Sequence, residues 1–140
     1  GSRIPNVDGD PEVHAVLMET ARTTADQMDN FQFRGALDAI WTFIRSMNKY
    51  IDEKKPWELS RTDPIAMERT IVTILESVRS IAVLTFPILP NTTKEIYQQL
   101  SLKWDENELR FDDAVRWGEI QGKTISKTHP IFPRVDLDQI

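Results

Sequence analysis

The stretch "NKYIDEKKPWELS", residues 48–60, gathers the groups best suited to chemistry in this chain. Lys54 and Lys55 stand directly before Pro56 and Trp57. An indole beside two cations suits a flat anionic ligand. A nucleobase stacks on such a ring for about 1–3 kcal/mol while ammonium groups meet its phosphate. A second reading stays open, in which Trp57 folds back and covers the apolar end of the fold. Other chemistry is harder to find. His14 and His129 lie far apart, with no H-x-x-x-H pair, and read as surface or packing residues. Asp112 and Asp113 read as caps or solvated carboxylates rather than as a general acid–base pair. The chain has no G-x-S-x-G, no P-loop and no dinucleotide fingerprint. With no Cys, it lacks thiol nucleophiles, disulfides and thiolate metal sites. No catalytic constellation and no metal site is expected.

The elements that must position Trp57 read as helices. Asp10 and Pro11 form an N-cap and first-turn pair, followed by Val13, Val16, Leu17, Ala21, Ala25 and Met28 at helical spacing. From Phe33, the apolar residues Ala36, Leu37, Ile40, Trp41, Ile44, Met47 and Ile51 fall on one stripe and predict a helix to about Asp52. The segment "EKKPWELSRTDP" reads as a linker, since Pro56 disfavours helix at Lys55. Asp63 and Pro64 open a third helix with a stripe of Met67, Ile71, Ile74, Leu75, Val78 and Ala82. Its end, "IAVLTF", is apolar nearly all round, which predicts a central position. Pro87 and Pro90 stop it, and Thr92 with Glu95 matches a capping box for a fourth helix. Beyond Leu100, aromatics mix with turns. A short helix near 112–117 and a strand in "KTISK" are the expectations there.

The fold expected is therefore all-α: a bundle of about four long helices with a small irregular C-terminal tail from about residue 101. The 140 residues suit one domain, 3–140, and the leading Gly-Ser pair reads as a tag remnant on a piece of a longer protein. No apolar run is long enough to cross a membrane. A net charge of −5 argues against strongly electrostatic nucleic-acid binding, so any RNA contact would be local and partly stacking-driven. Two residues read as supports. Asn48 lies beside the apolar stripe between Ile44 and Ile51, where a buried amide could hold the Trp57 linker or simply be a polar residue near a helix end. Arg79 lies on the edge of the third stripe, where it could pair with a carboxylate at a helix seam or reach to solvent.

These residues also carry a resemblance. "FQFRGALDAIWTFIRSMNKYIDEKKPWEL" and "ESVRSIAVLTFPILPNTTKEIYQQL" are similar to the anticodon-binding domain of methionyl-tRNA synthetases, a class I aminoacyl-tRNA synthetase family. The shared elements are an aromatic, A-L, I-W, N-x-Y-I and P-W, then R-x-I-A, an apolar run, two prolines and a T-x-x-I helix. "RWGEIQGKTISKTHPIFPRV" resembles the family's tail. Synthetases for Val, Ile, Leu and Cys share the bundle. A domain of one of those, or a helical protein-interaction module, is the alternative. The N-x-Y-I and P-W elements favour the methionine enzyme.

The resemblance implies that Trp57 stacks on the first anticodon base of tRNA(Met), a cytidine, with Lys54, Lys55 and Pro56 beside it. It implies that an Asn and an Arg that read the base edge stand on a helix preceding Arg3, which would pack in a groove on the bundle. It implies a cytoplasmic parent that joins methionine to tRNA using ATP, with magnesium and a zinc-binding insert in a catalytic domain of the same chain. The present residues would hold no cofactor and would be inactive alone.

Overall fold

The computed structural model describes residues 3–87, 90–100, 102, 114–118 and 120. Helix α1 spans Pro11–Asp29, α2 Phe33–Lys54, α3 Pro56–Thr62, α4 Pro64–Thr85 and α5 Pro90–Gln99. The caps follow local chemistry. Asp10 Oδ1 accepts from the Glu12 amide at 2.9 Å, and Asp63 Oδ1 accepts from the Ala66 amide at 3.1 Å, each ahead of a first-turn proline. Helix α4 ends two residues before Pro87. Helix α5 begins at Pro90, earlier than the capping-box reading placed it. The "EKKPWELSRTDP" stretch is not merely a linker, since it contains α3. The short helix expected near 112–117 lies partly outside the described residues, and Val115–Gly118 are not helical. The "KTISK" strand lies outside the described residues.

Helices α1 and α2 form a hairpin, and α4 contacts α1, α2, α3 and α5, as its apolar end predicts. Helices α2 and α4 run antiparallel, because Met47 meets Ser77 while Tyr50, further along α2, meets Thr73. One core cluster joins Leu17, Ile40, Phe43, Met47, Leu84 and Tyr97; a second joins Val72, Ala82, Ile96 and Leu100 to Ile4, so the lead-in is anchored in the core. On α1 the buried face is Leu17, Ala21 and Thr24, with Val16 exposed. Thr24 satisfies its hydroxyl on the Thr20 carbonyl at 2.8 Å, which permits its burial. On α2 Phe43 is buried, whereas Trp41 is turned outward.

The most consequential buried group is ionic. Arg79 and Glu76 are both fully buried on α4, with Arg79 Nε 3.6 Å from Glu76 Oε1. Arg79 also donates from Nη1 to the Tyr97 hydroxyl at 3.3 Å and from Nη2 to the Arg116 carbonyl. Glu76 Oε2 accepts from the Gly118 amide at 2.6 Å. Trp117 donates from Nε1 to Ser80 Oγ at 3.0 Å and stacks on the His14 ring at 4.6 Å, while His14 Nε2 donates to the Val115 carbonyl. Arg79 therefore does not reach to solvent; it pairs within its own helix and ties residues 115–118 to α4. Two glycines make this fit possible. A Cβ on Gly9 would lie 2.8 Å from Trp117 Cζ3, and Gly118 has φ 104°.

Candidate nucleic-acid interface

Helix α2 runs for 22 residues and so spans about 33 Å, which sets the Trp57 pole well apart from the α1–α2 turn. At the Trp57 pole the chain reverses through Lys55. Its φ of 48° and ψ of 65° make it at once the C-cap of α2 and the residue entering α3. The Lys55 amide closes α2 on the Ile51 carbonyl at 2.9 Å, and its own carbonyl opens α3 by accepting from Glu58 at 2.8 Å. Pro56 then supplies the fixed φ of a first helical turn.

Helix α3 has no fully buried residue. Pro56 and Leu59 are half-buried toward the bundle, and Trp57 points out, 60% exposed. The reading in which Trp57 folds back over the apolar end therefore does not hold. Lys54 and Lys55 are exposed beside it, with Lys54 Nζ 5.7 Å from the Tyr50 ring centroid. Sequence reasoning missed Arg61. It stands four residues after Trp57, on the same exposed face of α3, and only the helicity of this segment reveals the pairing. Behind the platform, a hollow of about 310 Å³ is lined by Tyr50, Lys54, Ile65, Arg69 and the two cap residues Asp10 and Asp63.

Tyr50 anchors this pole. Its hydroxyl donates to Asp10 Oδ2 at 3.4 Å, and the Asp10 amide in turn donates to Thr73 Oγ1 at 2.8 Å. Burial raises the Tyr50 phenol above its ordinary value of 10.0. The hydrogen bond with Thr73 opposes this, and the Asp10 charge adds to it.

Asn48 is exposed, not buried. Among the described residues its amide makes no hydrogen bond to α3, so it does not hold the Trp57 segment. It lies instead on the rim of an apolar groove of about 300 Å³ between α2 and α4, lined by Leu37, Trp41, Ile44, Ile51, Ile74 and Ile81 among others. Among the described residues no cluster of His, Cys, Asp or Glu could hold a metal ion, and no helix is long and apolar enough to cross a membrane.

The described residues thus form a helical bundle that carries an exposed indole and cations at one pole. The fold is similar to methionyl-tRNA synthetase of Mycobacterium tuberculosis in its free state, with a TM-score of 0.77 and 26% identity, covering 94% of this chain and 28% of that one. The family model for the anticodon binding domain of methionyl tRNA ligase matches residues 6–139, and the chain belongs to that family. The methionine–tRNA ligase of Fusobacterium nucleatum is 33% identical over 133 residues, covering 93% of this chain and 21% of the ligase. That of Listeria monocytogenes is 41% identical over 115 residues, covering 79% and 17%. The chain thus spans about a fifth of the curated relatives it matches.

Proposed function

We propose that this domain presents the anticodon of tRNA(Met) to a methionine–tRNA ligase, and that Trp57 stacks on the first anticodon base. The observation that carries the reading is the 60% exposure of Trp57 on a helix held at both ends by backbone hydrogen bonds. Lys54, Lys55 and Arg61 meet the flanking phosphates, and Pro56 fixes the first turn beneath the ring. Stacking tolerates any base, so discrimination needs donors and acceptors at the base edge. The α2–α4 groove suits a further apolar helix of the parent chain that would bring such groups. From Leu37 to Ile51 it runs about 21 Å.

In this reading the parent joins methionine to tRNA(Met) with ATP in the cytoplasm. A solved M. tuberculosis relative carries methionyl-adenylate. In the same reading the ATP, magnesium and zinc chemistry belongs to a catalytic domain of the same polypeptide. The domain alone is inactive in aminoacylation.

Titration of a CAU anticodon stem-loop, followed by tryptophan quenching, tests the proposal against a GAU loop and Trp57→Ala. Loss of the ring should weaken binding by about 1–3 kcal/mol, roughly five- to 150-fold, and remove most of the quenching. Undiminished affinity in Trp57→Ala would overturn the stacking role.

A further inference from the structure

The hollow behind Trp57, about 310 Å³ in volume, differs in character from the exposed platform. Asp10 and Asp63 line it from just ahead of α1 and α4, Tyr50 and Lys54 from the end of α2, and Ile65 and Arg69 from the first two turns of α4. The carboxylates are largely engaged. Asp10 Oδ1 accepts from the Glu12 amide and Oδ2 from the Tyr50 hydroxyl, and Asp63 Oδ1 accepts from the Ala66 amide. The cations are not. Among the described residues neither Lys54 nor Arg69 makes an ion pair, although both share the hollow with two acids. Asp63 Oδ2 likewise makes no hydrogen bond among the described residues and is an open acceptor. Ile65 is 74% exposed. The hollow thus offers two unpaired cations, one open carboxylate oxygen and an aliphatic side chain. A nucleotide matches all three: its phosphate meets the cations, a hydroxyl or amino group donates to the carboxylate, and the ribose packs on the aliphatic group. A bare phosphate matches only the first, and the two carboxylates repel it.

We propose that this hollow holds a second nucleotide of the RNA, one adjoining the base stacked on Trp57, with its phosphate at Lys54 and Arg69, its 2′-hydroxyl on Asp63 Oδ2 and its ribose against Ile65. The inference rests on the reading of Trp57 as the base platform. Continuity supports it. Lys54 is exposed beside Trp57 and also lines the hollow, so a strand leaving the indole passes Lys54 as it enters. Arg69 supports it as well, since it is an exposed, unpaired cation that stacking on Trp57 does not use. The hollow also supplies what the indole lacks. Stacking is indifferent to the sugar and the base, whereas a carboxylate accepts only from a donor. At this one nucleotide the domain therefore distinguishes RNA from DNA through the 2′-hydroxyl.

Titration of the CAU stem-loop into the chain over a range of salt tests this, with Arg69→Gln, Asp63→Asn and, as a charge control at the other pole, Arg34→Gln. Arg69→Gln should weaken binding about fivefold at 0.1 M salt and lower the salt slope by about 0.7, the share of one single-strand phosphate contact. Trp57 should still be quenched in full at saturation, and Arg34→Gln should change neither quantity. Deoxyribose placed at each loop nucleotide in turn should weaken binding several-fold at one nucleotide adjoining the stacked base. That loss should vanish in Asp63→Asn, whose side-chain oxygen keeps the cap on α4 while an amide nitrogen replaces the open acceptor. Wild-type affinity and salt slope in Arg69→Gln, an equal loss in Arg34→Gln, or a deoxyribose loss that persists in Asp63→Asn would each overturn the proposal. So would an Arg69→Gln loss seen with free nucleoside monophosphates but not with the loop. An Arg69→Gln loss without any quenching of Trp57 in the unsubstituted chain would instead reject the stacking reading and leave the hollow as a nucleotide site of its own.

Discussion

Replacing Arg79 by Met should be the most damaging conservative change in this chain. The methionine fills much of the same volume, so the cost comes from charge and hydrogen bonds rather than from a cavity. It removes the cation 3.6 Å from the fully buried Glu76 carboxylate, together with the donors to the Tyr97 hydroxyl and the Arg116 carbonyl. Breaking one side of a buried pair costs about 3–5 kcal/mol. For a chain of this size, about 1 kcal/mol shifts the melting temperature by roughly 3–4 °C, so a fall of roughly 9–20 °C is expected. Far-UV circular dichroism follows the helices, and tryptophan emission follows Trp117 as its bond to Ser80 is lost. Adding Glu76→Gln keeps an acceptor for the Gly118 amide and removes the stranded charge. The double variant should therefore be more stable than Arg79→Met alone, and the coupling would appear in a double-mutant cycle. A fall of less than about 3 °C in Arg79→Met, or strictly additive losses, would refute the account of a buried pair that ties residues 115–118 to α4.

Two further outcomes follow from the Trp57 pole. Lys55 has a charge role and a backbone role that can be separated: Lys55→Asn keeps a residue tolerant of the left-handed region, and Lys55→Val does not. Asn should leave the melting temperature unchanged and reduce the salt slope of stem-loop binding by about 0.7, the share of one single-strand phosphate contact; Val should lower both the melting temperature and the quenching of Trp57, and equal melting temperatures for the two would reject the hinge. Burial holds the Tyr50 proton on above its ordinary value of 10.0 in the folded state, while the unfolded chain releases it first. Its stabilising contribution is thus whole below about pH 10 and is lost as pH rises through the folded value. Tyr50→Phe should flatten this part of the alkaline melting curve, and unchanged slopes would show that Tyr50 does not titrate in that window.

Helix boundaries set by capping chemistry were legible in the sequence. Asp10 with Pro11, Asp63 with Pro64, and Pro87 mark positions where backbone donors or acceptors must find partners, and such needs are local. Trp57 was only half legible: a Pro-Trp pair between charges has no apolar stripe to join, but that pattern left open whether the ring folds back, and its 60% exposure is a tertiary outcome. Helix α3 was not legible. With seven residues and none fully buried, it has no periodic apolar face to detect, and Arg61 was lost along with it. Asn48 was misplaced because a helical wheel gives an angle but not which side of the stripe is covered; here that side opens on the α2–α4 groove. Arg79 stood between two readings because its burial depends on Tyr97 and Arg116, remote in sequence, even though its ionic partner Glu76 lies only three residues before it.

In the proposed reading, an acidic chain with a net charge of −5 takes an anticodon because the platform lowers what ordering costs on binding, rather than adding attraction. An indole on a flexible loop would have to be immobilised as the base arrives, which costs about 0.5–1.5 kcal/mol for the side chain and more for the backbone around it. Here the backbone cost is already met in folding. Lys55 closes α2 and opens α3 with its own amide and carbonyl, Asp63 caps the next helix, and Leu59 seats α3 on the bundle. A stacking energy of about 1–3 kcal/mol then reaches the complex largely undiminished. In that reading Lys54, Lys55 and Arg61 would supply only a few phosphate contacts, so the salt dependence of binding should stay shallow. A preorganised ring of this kind is strong but indifferent to base identity. In the proposed reading, selectivity for cytidine would therefore come from polar groups brought to the base edge by another part of the ligase.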